Sequence, residues 1–138
     1  MIEFYTETDF SLSNKNDISN WIEEVVTNES CVLGEVVYIF CDDAYLHKLN
    51  VQFLNHDTLT DIISFDNSLG NQIHGEIYIS IQRVKENAKD FNVPFLDELH
   101  RVIIHGILHY CGYKDKTEIE AKTMRSKENQ SLSMRTFC

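Results

Sequence analysis

Hydrophobic and polar positions along this chain repeat with two periods, two and about 3.6, which separate strands from helices. Residues 2–6 (Ile-Glu-Phe-Tyr-Thr) alternate and favour a strand. Ile18, Trp21, Ile22, Val25 and Val26 then recur at three- and four-residue steps. That spacing predicts a helix over 17–28, capped by Ser13 or Asn14. Gly34 precedes a strand over 35–41 (Glu-Val-Val-Tyr-Ile-Phe-Cys). Asp42 caps a second helix over 43–54, whose apolar set is Ala44, Leu46, Leu49, Val51 and Phe53. The polar run 55–59 is a loop. Residues 60–65 read as a buried strand, 66–71 as a turn and 74–80 as another strand.

Three helices follow. Ser80 caps one over 81–91, and Asn92-Val93-Pro94 separates it from an apolar helix over 96–111. The last, over 117–132, is highly charged, with Ile119, Ala121 and Met124 as its apolar contacts. The order β-α-β-α-β-β-α-α-α predicts an α+β fold: a single domain over 1–138, with a four-stranded mixed sheet and helices packed mainly on one face. The third and fourth strands are close enough in sequence to pair antiparallel.

The chemistry concentrates near the C-terminus, in His105-Gly106-Ile107-Leu108-His109-Tyr110-Cys111-Gly112-Tyr113-Lys114-Asp115. This reads H-x-x-x-H-x-x-G-x-x-D. Histidines four apart lie about 40° from each other around a helix, so both imidazoles can reach one ion. Gly112 can end the helix in the left-handed conformation and return the chain, bringing Asp115 to the same place. Two nitrogens, one carboxylate oxygen and a position left for water are the arrangement of catalytic zinc. His105, His109 and Asp115 are therefore the expected ligands of one Zn2+ ion. The carboxylate also makes a harder divalent metal such as Mn2+ plausible. Three-ligand zinc acidifies bound water, so the expected reaction is hydrolysis, and no other side chain is assigned a catalytic role.

Composition narrows this reading. The 138 residues are 43% hydrophobic, enough for one core, and no run approaches the ~18 apolar residues of a membrane helix. The first residues lack a basic, apolar leader, and a cytoplasmic protein is expected. Cys31, Cys41, Cys111 and Cys138 form no C-x-x-C pair, and Cys111 reads as a small packing residue rather than a ligand. A net charge of −10 excludes a broad nucleic-acid-coating surface, though not a local basic site beside a metal.

Zinc peptidases of related spacing carry a glutamate directly after the first histidine. Here that residue is Gly106. A peptidase would need its proton acceptor from elsewhere.

Three segments resemble the YbeY family. His105, Gly106, Leu108, His109, Gly112 and Tyr113 match its H-G-x-L-H-L-x-G-Y-D-H signature. Leu49-Asn50, Asp57 and Thr60-Asp61-Ile62-Ile63-Ser64-Phe65 are similar to its L-N-x-x-Y-R-x-x-D-x-x-T-D-V-L-S-F segment. Gly75-Glu76-Ile77-Tyr78-Ile79-Ser80 is similar to its G-D-I-x-I strand. The family's third histidine falls on Asp115, its preceding aspartate on Lys114, and its arginine on Leu54. The resemblance implies a metal-dependent endoribonuclease that cleaves single-stranded rRNA in ribosomal RNA maturation and ribosome quality control, with the ribosomal subunit as partner and no membrane. The acidic charge and the uncharged Leu54 leave a non-catalytic ribosome-assembly module, in which the metal only staples the fold, as an alternative. His56, Ser64 and Lys114 are the candidate substrate-binding residues. Lys116, Arg101 and His100 are further sources of positive charge, and Asp61 is expected near the cleft.

Overall fold

The computed structural model describes residues 1–54 and 60–137, with the side chain of Leu54 excepted. The elements run β1 (Ile2–Thr6), α1 (Lys15–Asn28), β2 (Val32–Cys41), α2 (Asp43–Leu54), β3 (Ile62–Asp66), β4 (Gln72–Ser80), α3 (Ile81–Asp90), α4 (Phe95–Tyr110) and α5 (Glu118–Ser133). The strands form one mixed sheet in the order β1-β2-β4-β3. β1 and β4 run parallel to β2, and β3 runs antiparallel to β4. The expected α+β architecture is therefore present. No helix among the described residues is long and apolar enough to cross a membrane.

Side chains alternate across the pleat, so each strand feeds two layers. Val36, Tyr38, Phe40, Ile77 and Ile79 face the main core, packed with α1, α3 and α4. Tyr78, Ile63 and Phe65 face the other way, where α2 adds Leu46 and Leu49. α5 forms an outer layer on α4. The helices thus lie mainly on one face, with α2 alone opposite.

α4 is the buried centre. Leu99, Val102, Ile103, Ile104, Ile107 and Leu108 are all within 3% of complete burial. Each such side chain is worth roughly 1.5–3 kcal/mol relative to exposure. The half-open positions are Arg101, His105 and His109, one stripe repeating every four residues. Tyr38 donates its buried hydroxyl proton to Ile103 O at 2.9 Å, and the Tyr110 hydroxyl lies 3.0 Å from Phe65 O and Glu76 O. These bonds fix the rotation of α4 against the sheet.

Caps appear where the residue types predict them. Asp42 accepts from Tyr45 N and Ser80 from Arg83 N, while Thr117 and Glu120 form a reciprocal capping box. Of the two candidates for the first cap, Asn14 holds the position, in the left-handed conformation and with no side-chain bond.

Three expectations change. In α2, Leu46 is buried and Leu49 half-buried, but Ala44, Val51 and Phe53 are exposed. The expected set was spaced largely by two, and one helix cannot turn all of those positions inward. In α5, Met124, Glu128 and Ser131 are buried, whereas Ile119 and Ala121 are exposed. Ile119 lies about 140° around the helix from Met124. His100 is no source of positive charge. It is 2% exposed, tilted against Trp21 and Phe137, and takes a hydrogen bond from Arg135 at Nδ1 (2.7 Å).

Burial, with Arg135 adding to it, pushes the pKa of His100 down to about 4. The folded state thus holds this histidine neutral where the unfolded chain would protonate it. Its contribution is complete above the unfolded pKa near 6.5 and is lost as pH falls towards 4. Urea titrations at pH 7 and pH 4.5 should show the wild type losing more stability on acidification than His100→Gln.

Candidate metal centre and cleft

The site is built on the open stripe of α4. His105 and His109 stand one turn apart with ring centroids 4.5 Å from each other. Gly112, at φ 109°, ends the helix in a conformation that side-chain-bearing residues rarely adopt. Tyr113 N then bonds back to Leu108 O at 3.1 Å. The returning chain carries Asp115 over the histidines. Its Oδ2 lies 3.2 Å from His105 Nε2 and 3.4 Å from His109 Nε2, and the two Nε2 atoms are 3.0 Å apart. The structure therefore brings the three expected ligands together.

The hydrogen bonds on the far sides of the rings settle which nitrogens face this gap. His109 Nδ1 lies 2.9 Å from Tyr113 O, a carbonyl that can only accept, so Nδ1 carries the proton. His105 Nδ1 lies 2.7 Å from Glu128 Oε2. Burial raises the Glu128 pKa, but the bonds from His105 and Arg101 outweigh it and the net shift is downward. Burial likewise opposes charge on His105, and Glu128 reverses the sign there, leaving a raised pKa. An ionised Glu128 must accept, so His105 too donates from Nδ1. The two Nε2 atoms and a carboxylate oxygen then converge at 3.0–3.4 Å, an arrangement that needs a proton or a metal cation among them. Tetrahedral zinc with bonds of 2.0–2.1 Å separates its ligands by about 3.3 Å. The residues present fit a divalent ion.

Glu128 is the functional residue that sequence reasoning missed. It is 5% exposed, on a helix that reads as a charged surface element. The available signal was its i, i+4 spacing from Met124, the buried apolar residue of that helix. Arg101 completes the group, donating to Glu128 Oε1 and to Asn129 Oδ1, each at 3.0 Å.

A cleft of about 290 Å3 opens beside His105 and Asp115. Glu98, Arg101, Val102 and His105 of α4 form its floor. Asn87 and Phe91 stand on the α3 side, Arg125 and Glu128 on the α5 side, and Asp61 and Ile62 at the start of β3. Asp61 is thus at the cleft, as expected. Burial raises its carboxyl pKa, and Asn87 Nδ2 donates to it at 3.4 Å. Ser64 sits half-buried in β3 opposite Ile77 and is not part of the cleft wall. Lys114 and Lys116 are exposed. His56 lies outside the described residues. Cys111 is a half-buried free thiol packed against the core.

A helix on a mixed sheet that presents two imidazoles, with a carboxylate from the following turn, at the edge of a cleft makes a site that could hold a metal ion. Comparison with known proteins places it more narrowly. A family model described as "Endoribonuclease YbeY" matches residues 2–135. Curated proteins named endoribonuclease YbeY are similar throughout. That of Flavobacterium johnsoniae is 58% identical over 134 residues, covering 97% of this chain and 96% of that protein. That of Bacteroides fragilis is 46% identical, covering 88% and 87%. A solution structure of a Thermotoga maritima protein superposes with a TM-score of 0.69 at 32% identity, covering 96% of this chain and 87% of that one. The chain belongs to the YbeY endoribonuclease family.

Carboxylates that orient a ligating histidine typically contribute 10- to 100-fold to metal affinity. Zinc titrated calorimetrically into metal-free protein should therefore bind about 10- to 100-fold more weakly to Glu128→Gln than to the wild type.

Proposed function

We propose that this chain is a metal-dependent endoribonuclease that cleaves single-stranded ribosomal RNA during rRNA maturation and ribosome quality control in the cytoplasm. Residues 1–138 form one such hydrolase domain, with His105, His109 and Asp115 holding a single divalent ion, Zn2+ or Mn2+. The observation that carries this reading is the convergence of two Nε2 atoms and Asp115 Oδ2 at the cleft edge. The activity named for the relatives supplies the substrate class. A divalent ion held there supplies Lewis acidity towards a phosphodiester and acidifies water.

The chain's own residues do the rest. Glu128 and the Tyr113 carbonyl hold the Nδ1 protons and orient both rings. Arg101 keeps Glu128 ionised and in place. The buried α4 floor excludes water from one side of the site.

The geometry also counts against a peptidase whose base follows the first histidine. Position 106 faces the sheet: a Cβ there would come within 3.0 Å of Ile77 Cδ1 and 3.2 Å of Ile62 Cδ1. A glutamate at that place would enter the core, not the cleft. The acidic net charge fits an enzyme that meets RNA at one cleft and not along a surface.

Cleavage of single-stranded rRNA fragments should fall at least about 100-fold in His109→Ala, which removes a ligand supporting transition-state charge. Unchanged cleavage would trace the activity to a contaminant and remove the reading. Chelation should abolish cleavage while circular dichroism reports a folded protein, because His105, His109 and Asp115 stand outside the apolar core. Global unfolding on chelation would favour a structural staple.

A further inference from the structure

The cleft has a second chemistry that ion binding leaves unexplained. Phe91 closes α3 as its C-cap residue and keeps 60% of its surface in solvent while lining the cleft. A phenyl ring that exposed gains nothing from the core. Asn87, one turn earlier on α3, also lines the cleft, so this wall presents an amide and an aromatic face. Across α4, Arg125 projects from α5 with 59% of its side chain in solvent, its nearest carboxylate being Glu128 Oε1 at 3.8 Å. Arg101 is engaged differently, held by Glu128 and Asn129. Of the two cleft arginines, Arg125 is the one with its guanidinium available to a ligand.

A flat apolar face and an available guanidinium on opposite sides of one cleft are what a single nucleic-acid strand requires. Its bases stack on aromatic rings whatever their identity, and its phosphates pair with arginine. Paired, stacked bases of a duplex cannot present a face to such a ring. The rest of the wall strengthens the choice of position. Asp61, Glu98, Asp115 and Glu128 repel phosphate, so the strand's backbone can be held in this cleft only where an arginine faces it. Leu54, where the family resemblance places an arginine, carries no charge. Phosphate binding in this chain needs another cation, and Arg125 lies within the same cleft as His105 and Asp115.

We infer that Phe91 and Arg125 hold the RNA strand in this cleft, Phe91 stacking one unpaired base and Arg125 pairing with a neighbouring phosphate. This rests on the ribonuclease reading above and adds to it the side chains that select single-stranded substrate.

The test uses the full chain and a short oligoribonucleotide carrying 2-aminopurine at successive positions. Both residues are exposed, so Phe91→Ala and Arg125→Ala should melt like the wild type, and Phe91→Ala should bind zinc with unchanged affinity. At one position of the probe, wild type and Phe91→Tyr should quench 2-aminopurine fluorescence, and Phe91→Ala should not. Phe91→Ala should weaken binding by about 5- to 100-fold, the range for one stacked base. It should also narrow the preference for single over double strands. Arg125→Ala should reduce the slope of log affinity against log salt by about 0.7, the value for one phosphate contact on a single strand. Unchanged quenching and affinity in Phe91→Ala, or an unchanged salt slope in Arg125→Ala, would overturn the inference while wild-type cleavage persists. Failure of the wild type itself to bind or cut RNA would instead overturn the ribonuclease reading beneath it.

Discussion

The structure depends on the burial of α4. This helix touches the sheet on one side and α1, α3 and α5 on others. Apolar packing at interior density permits little rotation of a helix so enclosed, because each side chain fills its own space. Two hydroxyl bonds, from Tyr38 and from Tyr110, fix the remaining freedom. The stripe of Arg101, His105 and His109 is therefore held in a single direction. An ion site needs its ligand atoms positioned to a few tenths of an ångström. Here the hydrophobic core provides that precision, and the polar groups refine it.

The refinement is electrostatic and runs outward from the histidines. Each imidazole uses one nitrogen to anchor itself and leaves the other bare, His105 through Glu128 and His109 through the Tyr113 carbonyl. Glu128 stays charged at 5% exposure because His105 and Arg101 both bond it. Tyr113 is tied in turn to α1, donating its hydroxyl proton to Glu29 at 2.6 Å, and Lys127 pairs with the same carboxylate at 3.3 Å. The turn that delivers Asp115 is thus fastened to helices at both ends of the chain. An excess of negative charge over the whole protein coexists with a local site for an anionic polymer, since fields in a cleft are set by near groups and screened beyond roughly 10 Å.

Much of this was legible in the sequence. The alternation in 2–6 and 35–41, the stripe from Ile18 to Val26 and the long apolar run before His105 each correspond to an observed element. Caps at Asp42 and Ser80 follow from residue type. The misreadings share a cause. Val51, Phe53 and Ile119 were counted inward because they are apolar, but amphipathicity only states which side of a helix is eligible for burial. How far neighbouring elements cover it is decided by packing. His100 shows the converse: residue type offers a possible charge there, and the packing of Trp21, Phe137 and Arg135 around the ring removes it.

The sequence by itself determined the local content of the site: two histidines at helical spacing, a glycine that must end the helix, an aspartate three residues later. Those are short-range facts, set by backbone geometry within a dozen residues. Tertiary structure alone decided that Glu128, 23 residues beyond His105, reaches its Nδ1. It also decided that Asp61 and Phe91 share a cleft with the histidine while Ser64 does not. Such meetings depend on how separate elements stack. Burial energy is nearly indifferent to which particular polar residues it brings together, so no local pattern records the outcome.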